Sequence, residues 1–429
     1  MKTFGLGLIG CGVVGGGVVR HLERNLDLIT ERCGARTEIR RVAVRDISKV
    51  RGVPSDRLTT KWLEVVHDPQ VDIVIELMGG TTIALEVAKA AVQAGKPLIT
   101  ANKALLAESG EELFHLAQTK GVPIYFEASV AGGIPIVRAL REGLCANHIL
   151  SLHGIINGTC NYILTRMSEE GLGFEEVLKE AKDLGYAEAD ESLDVDGIDA
   201  AHKAAILASL AYGFWIRVDQ VFVEGIRKIE AIDVQMARRL NYVIKLLATI
   251  KSNPGGAVEV RVHPTLVPKQ HVLASVNGVF NAVAVEGDVV GQTLFYGRGA
   301  GPDATASAVL SDVAEAVLHK QTNGGGRGFV SHNLYGKLIT IDEVCTRYYV
   351  RLTVKNEPGV LAKVAAIFGF HGIGISSVFQ PEDHDGDAVP LVMLLDFAKE
   401  ASLQKANAEI EALSVVTEPN QVIRVEDFS

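Results

Sequence analysis

Six carboxylates lie between residues 188 and 199, directly before a predicted apolar helix (197–212) that carries a single lysine. That lysine, Lys203, follows Asp199 by four residues, so the two side chains project from the same face of the helix. Carboxylates can bind an ammonium group, and a lysine beside them can give or take a proton. The pattern therefore predicts a polar pocket for acid–base chemistry, although a structural ion pair between Asp199 and Lys203 would leave the same pattern.

A glycine-rich turn follows the first predicted strand, Thr3–Ile9, and opens the next helix. In such turns the first glycine makes the tight bend, the second admits a pyrophosphate, and the third lets helix and strand pack closely. The start of the helix supplies N–H groups for the phosphate. The sequence therefore predicts a dinucleotide site that includes Gly10, Gly12, Val13, Val14 and Gly15.

The residue that ends the second predicted strand, Thr37–Arg45, indicates which dinucleotide binds. An arginine there suits a 2′-phosphate, whereas an acidic residue grips a free ribose hydroxyl. Arg45 favours NADP because its planar fork matches phosphate oxygens. Asp46 follows it directly and could contact a ribose, so NAD remains possible. Alternatively, Arg45 faces solvent and forms an ion pair with Asp46, with no role in cofactor binding.

Residues 1 to about 140 alternate strands with helices, which predicts a parallel α/β sheet of the Rossmann type. Ligands of such sheets bind beyond the carboxyl ends of the strands. This rule brings the Gly79–Thr81 loop, Thr100–Lys103 and Glu127 to the dinucleotide crevice. Gly80 and Thr81 are therefore added to the predicted cofactor-binding residues.

The remaining chain reads as two further domains and a linker. Residues 141–296 are α+β, with predicted helices at 174–184, 197–212 and 234–250 and a strand at 271–276. A glycine turn and helix at 297–320 predict a return to the first domain, and 321–346 reads as a linker. The tail, 347–429, has the ferredoxin-like order βαββαβ with an acidic turn at 382–387.

Composition limits the possible partners. The formal net charge is −10 and no Lys/Arg cluster stands out, which argues against nucleic acid and anionic membranes. No stretch reaches the roughly 18 apolar residues of a membrane span, and the N-terminus reads as a strand rather than a signal peptide. The five cysteines are scattered and form no metal-like pair, which favours the reducing cytoplasm.

Six stretches together carry a resemblance to one family: Gly10–Gly15, Thr100–Lys103, Phe126–Ile136, Gly154–Tyr162, Gly185–Lys203 and Gly297–Gly301. Through them the whole chain resembles homoserine dehydrogenases of the bacterial form with a C-terminal ACT domain. The resemblance implies NAD(P)-dependent interconversion of L-homoserine and L-aspartate 4-semialdehyde, on the route to threonine, methionine and isoleucine. It also implies that the second domain binds substrate and forms dimers, within a homodimer or homotetramer.

The resemblance assigns roles within the acidic block. Lys203, with Asp199 beside it, matches the family's proposed acid/base, which gives or takes the hydroxyl proton as a hydride moves. The family's substrate-binding carboxylates correspond to Glu188, Asp194 and Asp199. The other three carboxylates are expected to stay solvated: Asp190, Glu191 and Asp196.

Further residues follow from the resemblance. Lys103 lies where the family places a lysine between nicotinamide and substrate, and Gly301 lies in a matching cofactor-binding turn. A structural sodium ion is implied as well, and hard oxygen ligands suit such a cation. Its ligands, mainly backbone carbonyls, would come from Glu127, Val130, Gly132 and Ile134.

The tail offers a candidate effector site between its first strand and first helix. Free backbone N–H groups near Gly359 and Val360 can receive an amino-acid carboxylate. The resemblance implies that the effector is L-threonine. The predicted regulatory residues are Asn356, Gly359, Val360 and Leu361. A purely architectural tail is the alternative.

Two other functions remain open from the sequence. A semialdehyde dehydrogenase acting through a thioester needs a cysteine nucleophile with a nearby base, and Cys160 is the plausible candidate. An NADP- and amino-acid-sensing regulatory protein without dehydrogenase activity would explain the first and last domains. That second function leaves Lys203 without a role. His153 and His202 are expected to be structural.

Overall fold

The computed structural model describes residues 1–49, 52–322, 328–380 and 387–428. The chain divides into two compact units. The first contains Met1–Ser151, His202–Val221 and Asn281–Gly336, and the second contains Leu152–Ala201, Phe222–Phe280 and Lys337–Ser429. The centre of the predicted linker (323–327) and most of the predicted acidic turn (382–386) lie outside the described residues.

The first unit is built on a six-stranded sheet with the order β3-β2-β1-β4-β5-β6. All neighbouring strands are parallel, and this order is that of a Rossmann sheet. The elements are β1 (Thr3–Ile9), α1 (Val13–Arg24), α2 (Leu26–Cys33), β2 (Arg36–Ala43), β3 (Leu58–Thr59), α3 (Trp62–Val66), β4 (Ile73–Glu76), α4 (Thr82–Gln93), β5 (Leu98–Thr100), α5 (Lys103–Lys120), β6 (Ile124–Tyr125) and α6 (Ile136–Arg138).

The middle of the chain contributes to both units. Its elements are β7 (Ile149–Ile155), α7 (Gly158–Glu170), α8 (Phe174–Asp183), α9 (Ser192–Val195), α10 (Ile198–Tyr212), β8 (Phe222–Val223), α11 (Ala231–Arg239), β9 (Tyr242–Ser252), β10 (Ala257–Pro268), β11 (Phe280–Gly287), β12 (Gly291–Arg298) and α12 (Pro302–Thr322). In the second unit β9 and β10 form a long antiparallel pair.

The tail confirms the predicted βαββαβ order. A short strand, β13 (Lys337–Leu338), lies in the predicted linker, and the elements of the tail are β14 (Cys345–Lys355), α13 (Val360–Phe370), β15 (Ile375–Phe379), β16 (Ala388–Lys399), α14 (Glu400–Glu411) and β17 (Gln421–Val425). The strands β17-β14-β16-β15 are antiparallel neighbours. Because β17 also pairs in parallel with β10, the tail shares one sheet with β9 and β10 and belongs to the same unit as they do.

The core of the first unit packs β1 against α1 and α12. Phe4 to Ile9 are all buried, and a Cβ at Gly5 would lie 1.8 Å from the Gln70 carbonyl oxygen. Val18 of α1 and Val309 of α12 are each 0% exposed within the same apolar cluster as β1. The helix at the end of the middle segment, α12, is thus part of the core of the first unit.

Two secondary-structure predictions were wrong. The predicted helix 234–250 ends at Arg239, and β9 begins at Tyr242 after a turn in which Asn241 has a φ of +68°. Residues 244–250 are all buried and apolar except for Lys245 and Thr249, and periodicity does not distinguish such a buried strand from a buried helix. The predicted strand 271–276 is a short 3-10 turn, Val272–Ser275.

No helix among the described residues is long and apolar enough to cross a bilayer.

Candidate active site

The glycine turn of the first unit has the geometry of a pyrophosphate site. Gly10 has a φ of +95°, and its N–H donates to the Ala43 carbonyl at 3.0 Å. A Cβ at Gly15 would lie 2.4 Å from the Gly10 carbonyl oxygen, whereas a Cβ at Gly12 meets no atom within 4 Å. The open space at Gly12 admits a phosphate, and the start of α1, at Val13, offers N–H groups to it.

A cavity of about 410 Å³ lies beside this turn, in the first unit. Arg45, Asp46 and Lys49 line its polar side. The Asp46 carboxylate accepts from the Ser48 backbone N–H (3.0 Å) and from its hydroxyl (2.6 Å). Arg45 is exposed at the cavity wall, so its guanidinium can reach a phosphate there. These residues fit an adenosine with either a 2′-phosphate or a free ribose.

The other predicted cofactor residues lie at helix starts in the same unit. Gly80, with a φ of +74°, precedes Thr81, the N-cap of α4. Gly301, with a φ of +113°, directly precedes α12. Lys103 is the first residue of α5. Together with the start of α1, four helix N-termini among the described residues of this unit therefore carry predicted ligand contacts.

Glu76 was missed by the sequence reasoning. It ends β4, is 0% exposed, and accepts hydrogen bonds from the Thr100 hydroxyl (2.6 Å) and the Met78 N–H (2.8 Å). Burial raises the pKa of Glu76. Asn102 donates to the Gly80 carbonyl at 2.7 Å and caps α5. This network joins the loop after β4 to the start of α5. A lone glutamate in an otherwise apolar strand was the available signal.

The predicted sodium ligands lie in a buried loop of the first unit. The Glu127 carboxylate accepts from the backbone N–H groups of Val137 (3.0 Å) and Arg138 (2.8 Å), and burial raises its pKa. Ala131 and Gly132 both have positive φ, at 53° and 49°. No group of three or more His, Cys, Asp or Glu side chains among the described residues could hold a metal. A cation in this loop would therefore depend mainly on backbone carbonyls, as the resemblance implies.

In the second unit, two of the predicted substrate carboxylates share one amide. Asn157, the N-cap of α7, donates from Nδ2 to Asp194 Oδ1 (2.7 Å) and to Asp199 Oδ2 (2.9 Å). The Thr159 hydroxyl lies 3.2 Å from Asp194 Oδ2. Asn157 therefore fixes the separation of the two carboxylates. Asn157 lies within the stretch Gly154–Tyr162, and its contacts with the two carboxylates were not predicted from the sequence.

The other members of the acidic block behave differently from one another. Glu188 and Asp190 are exposed, but Glu191 and Asp196 are not simply solvated as expected, because both pair with Arg227. Asp199 and Lys203, one turn apart on α10, are each only 8% exposed. Buried polar groups of this kind need polar partners.

Cys160 does not have the surroundings of a nucleophile. It is 0% exposed, and its thiol lies 3.2 Å from the Asp194 carbonyl oxygen. A buried thiol of this kind is ordinarily inert. The Cys160 backbone N–H donates to Asn157 Oδ1 at 2.8 Å. The thioester mechanism therefore receives no support from the geometry.

The predicted effector residues lie at the start of α13, in the second unit. Gly359 is the N-cap with a φ of +86°, and Leu361 is 45% exposed. The Asn356 N–H donates to the Asp387 carbonyl at 3.0 Å. The Val360 N–H is not free as the sequence predicted, because it donates to the Glu357 carbonyl at 3.4 Å. An incoming carboxylate would have to replace that long hydrogen bond.

The chain was compared with known proteins. A family model described as "Homoserine dehydrogenase" matches residues 135–314, and one described as "Homoserine dehydrogenase, NAD binding domain" matches residues 10–127. The homoserine dehydrogenase of Pseudomonas aeruginosa is 44% identical over 435 residues, with 100% of both chains covered. That of Bacillus subtilis is 39% identical, with 99% of each chain covered.

Solved structures agree with these matches. A homoserine dehydrogenase from Thiobacillus denitrificans superposes with a TM-score of 0.94 at 42% identity, over 100% of this chain and 99% of that one. A hyperthermophilic archaeal homoserine dehydrogenase in complex with NADPH has a TM-score of 0.63 at 26% identity, over 74% of this chain and 98% of that one. Since such relatives span the chain from end to end and the nucleotide-binding match begins at the Gly10 turn, the chain belongs to the homoserine dehydrogenase family.

Proposed function

We propose that the chain interconverts L-homoserine and L-aspartate 4-semialdehyde with Lys203 as the group that exchanges the hydroxyl proton. The observation that carries this assignment is the arrangement at the start of α10. Asp199 and Lys203 lie one turn apart and nearly buried, and Asp199 is tied through Asn157 to Asp194. A proton acceptor held beside fixed carboxylates is what an amino-alcohol substrate requires.

Each residue then has a distinct role. When bound, the nicotinamide accepts a hydride from the carbon that bears the hydroxyl group. Lys203 takes the hydroxyl proton during oxidation and returns it during reduction. The carboxylates of Glu188 and Asp194 compensate the α-ammonium charge, and Asp199 orients Lys203. Lys103 is the second candidate for the proton transfer.

The direct test is oxidation of L-homoserine with NADP, followed by the absorbance of the reduced nicotinamide. An increase in this absorbance without added phosphate supports the proposal, because a thioester route to an acyl phosphate would require phosphate. No signal with either NADP or NAD would instead favour a nucleotide- and amino-acid-sensing regulator.

We propose NADP as the preferred dinucleotide, with Arg45 as the 2′-phosphate ligand. Arg45→Ala should weaken NADP binding by about 1.5–3 kcal/mol, the range for hydrogen bonds to charged groups. NAD lacks that phosphate and should bind nearly as before. Fluorescence titration of both nucleotides measures the difference.

A neighbouring arginine provides the control for Arg45. Arg41 lies on β2, and its side chain pairs with Asp68 at 3.4 Å. Arg41→Ala removes the same charge without altering the cavity lining, and it should leave both affinities unchanged. Equal losses of NADP and NAD affinity in Arg45→Ala would mean that Arg45 acts structurally.

We further propose that the tail is an ACT domain through which L-threonine inhibits the enzyme. Gly359→Asp should abolish inhibition and leave kcat for homoserine unchanged, because the new carboxylate repels the incoming one at the start of α13. Inhibition curves with millimolar threonine measure this. A Cβ at Gly359 meets nothing within 4 Å, so the substitution adds no steric clash beyond the strain of the positive φ.

Gly372 offers a matched control at the other end of α13. It also has a positive φ, at 70°, and open space for a Cβ. Gly372→Asp adds the same charge and the same backbone strain away from the proposed site, so inhibition should persist. If threonine and the other pathway amino acids leave the unaltered enzyme uninhibited, the tail is architectural.

The remaining proposals follow from the family. A sodium ion would be held by the backbone carbonyls of the Glu127–Ile134 loop and would be structural. The buried position of this loop and its two positive-φ residues support that proposal. We also propose a homodimer or homotetramer that works in the cytoplasm.

A further inference from the structure

A short segment of the second unit, Phe222–Glu230, lies against the turn that carries Asp194. Arg227 donates from Nε to Asp196 Oδ1 (2.6 Å) and from Nη1 to Glu191 Oε1 (3.0 Å). Glu191 is the N-cap and Asp196 the C-cap of α9, and Asp194 lies within it. One guanidinium therefore holds both ends of the single helical turn that carries a proposed substrate carboxylate.

The backbone beside Arg227 contacts the same turn. The Ile226 N–H donates to the Val195 carbonyl at 2.8 Å. A Cβ at Gly225 would lie 2.2 Å from that carbonyl oxygen, so only glycine permits the approach. Lys182 of α8 also pairs with Glu191 at 2.6 Å. Lys182 and Arg227 together lower the pKa of Glu191 to about 2, so the Glu191 carboxylate stays charged at neutral pH.

The start of the segment is fixed to the sheet. Phe222 and Val223 pair with β10, and the Glu224 N–H donates to the Val262 carbonyl at 2.8 Å. Arg424 of β17 donates to Glu224 Oε2 at 2.8 Å, and its guanidinium lies 4.6 Å from the centre of the Phe222 ring. The segment is therefore fixed to the sheet three residues before Arg227, which gives the Arg227 guanidinium a defined position.

From these contacts we propose that Arg227 is a positioning residue for homoserine binding. It fixes α9 so that the Asp194 carboxylate keeps one orientation toward the substrate ammonium group. The inference rests on the substrate role proposed above for Asp194. Because Arg227 acts on the substrate only through α9, its loss should weaken homoserine binding and leave the chemical step intact.

The test is the kinetics of three arginine variants. Arg227→Ala should raise the KM for homoserine about tenfold, the effect of losing two partly exposed ion pairs, with kcat and the KM for NADP changed less than about twofold. Arg227→Lys keeps the charge and should recover part of the loss. Arg217 pairs with Asp219 at 3.0 Å in the first unit, so Arg217→Ala removes an equivalent exposed pair and should leave all three constants unchanged.

Asp194→Asn separates this inference from the proposed function. If Asp194→Asn leaves the KM for homoserine unchanged, the substrate role of Asp194 is wrong. If Asp194→Asn raises that KM but Arg227→Ala does not, the positioning role is overturned and the proposed function stands. A loss of kcat in Arg227→Ala that Arg227→Lys fails to rescue would also overturn it, because that result indicates general damage to the fold.

Discussion

Replacing Lys203 with Met should reduce kcat by about 10²–10⁴-fold, the usual contribution of general acid–base catalysis. Methionine keeps much of the length and the apolar stem of lysine but cannot accept a proton. The residues from Ala204 to Ala208 are 0% exposed, so an apolar side chain at position 203 should be tolerated. Steady-state oxidation of homoserine measures kcat. The affinity for NADP should remain nearly unchanged, because the turn from Gly10 to Gly15 is not altered.

Two other lysines make this test specific. Lys179 is exposed on α8, and Lys179→Met should leave turnover unaltered. Near-normal turnover in Lys203→Met would show that another group exchanges the proton. In that case Lys103→Met becomes the decisive variant, since Lys103 opens α5 in the nucleotide-binding unit.

The nucleotide-binding part of the fold was predictable because its signals are local. In the turn after β1, Gly10 has a φ of +95°, and a Cβ at Gly15 would lie 2.4 Å from the Gly10 carbonyl oxygen, so the backbone of the turn itself favours glycine at both positions. The alternation of strands with helices predicts a parallel sheet. The βαββαβ order of the tail was predictable for the same reason.

The features that were missed depend on contacts between residues distant in sequence. Asn157 meets Asp194 and Asp199 across about forty positions, and nothing local in the Asn157 region indicates this. The sequence around Arg227 does not distinguish it from an ordinary surface arginine, and its contacts with the two ends of α9 are evident only in the folded structure. The tail belongs to the second unit because β17 pairs with β10. Such tertiary pairings leave no periodicity in the sequence.

The same kind of long-range contact gives the largest expected loss of stability, at Arg351. Arg351 of β14 donates from Nε to Asp233 Oδ1 (2.7 Å) and from Nη2 to Asp233 Oδ2 (3.2 Å). The Tyr349 hydroxyl donates to Asp233 Oδ1 at 3.0 Å. Asp233, on α11, is 0% exposed, and Arg351 is 6% exposed. Arg351→Met leaves that carboxylate buried without its cation, which should cost about 3–5 kcal/mol.

Thermal unfolding followed by circular dichroism measures the loss at Arg351, and the same strand supplies the control. Arg347 pairs with Asp427 at 3.4 Å, with both side chains partly exposed. Arg347→Met should therefore cost no more than about 1 kcal/mol. Removing the buried carboxylate as well, in Arg351→Met with Asp233→Leu, should recover part of the stability, since apolar replacement of a buried pair is often neutral. Equal melting temperatures for Arg351→Met and Arg347→Met would mean that the Asp233 pair does not stabilise the packing of the tail against α11.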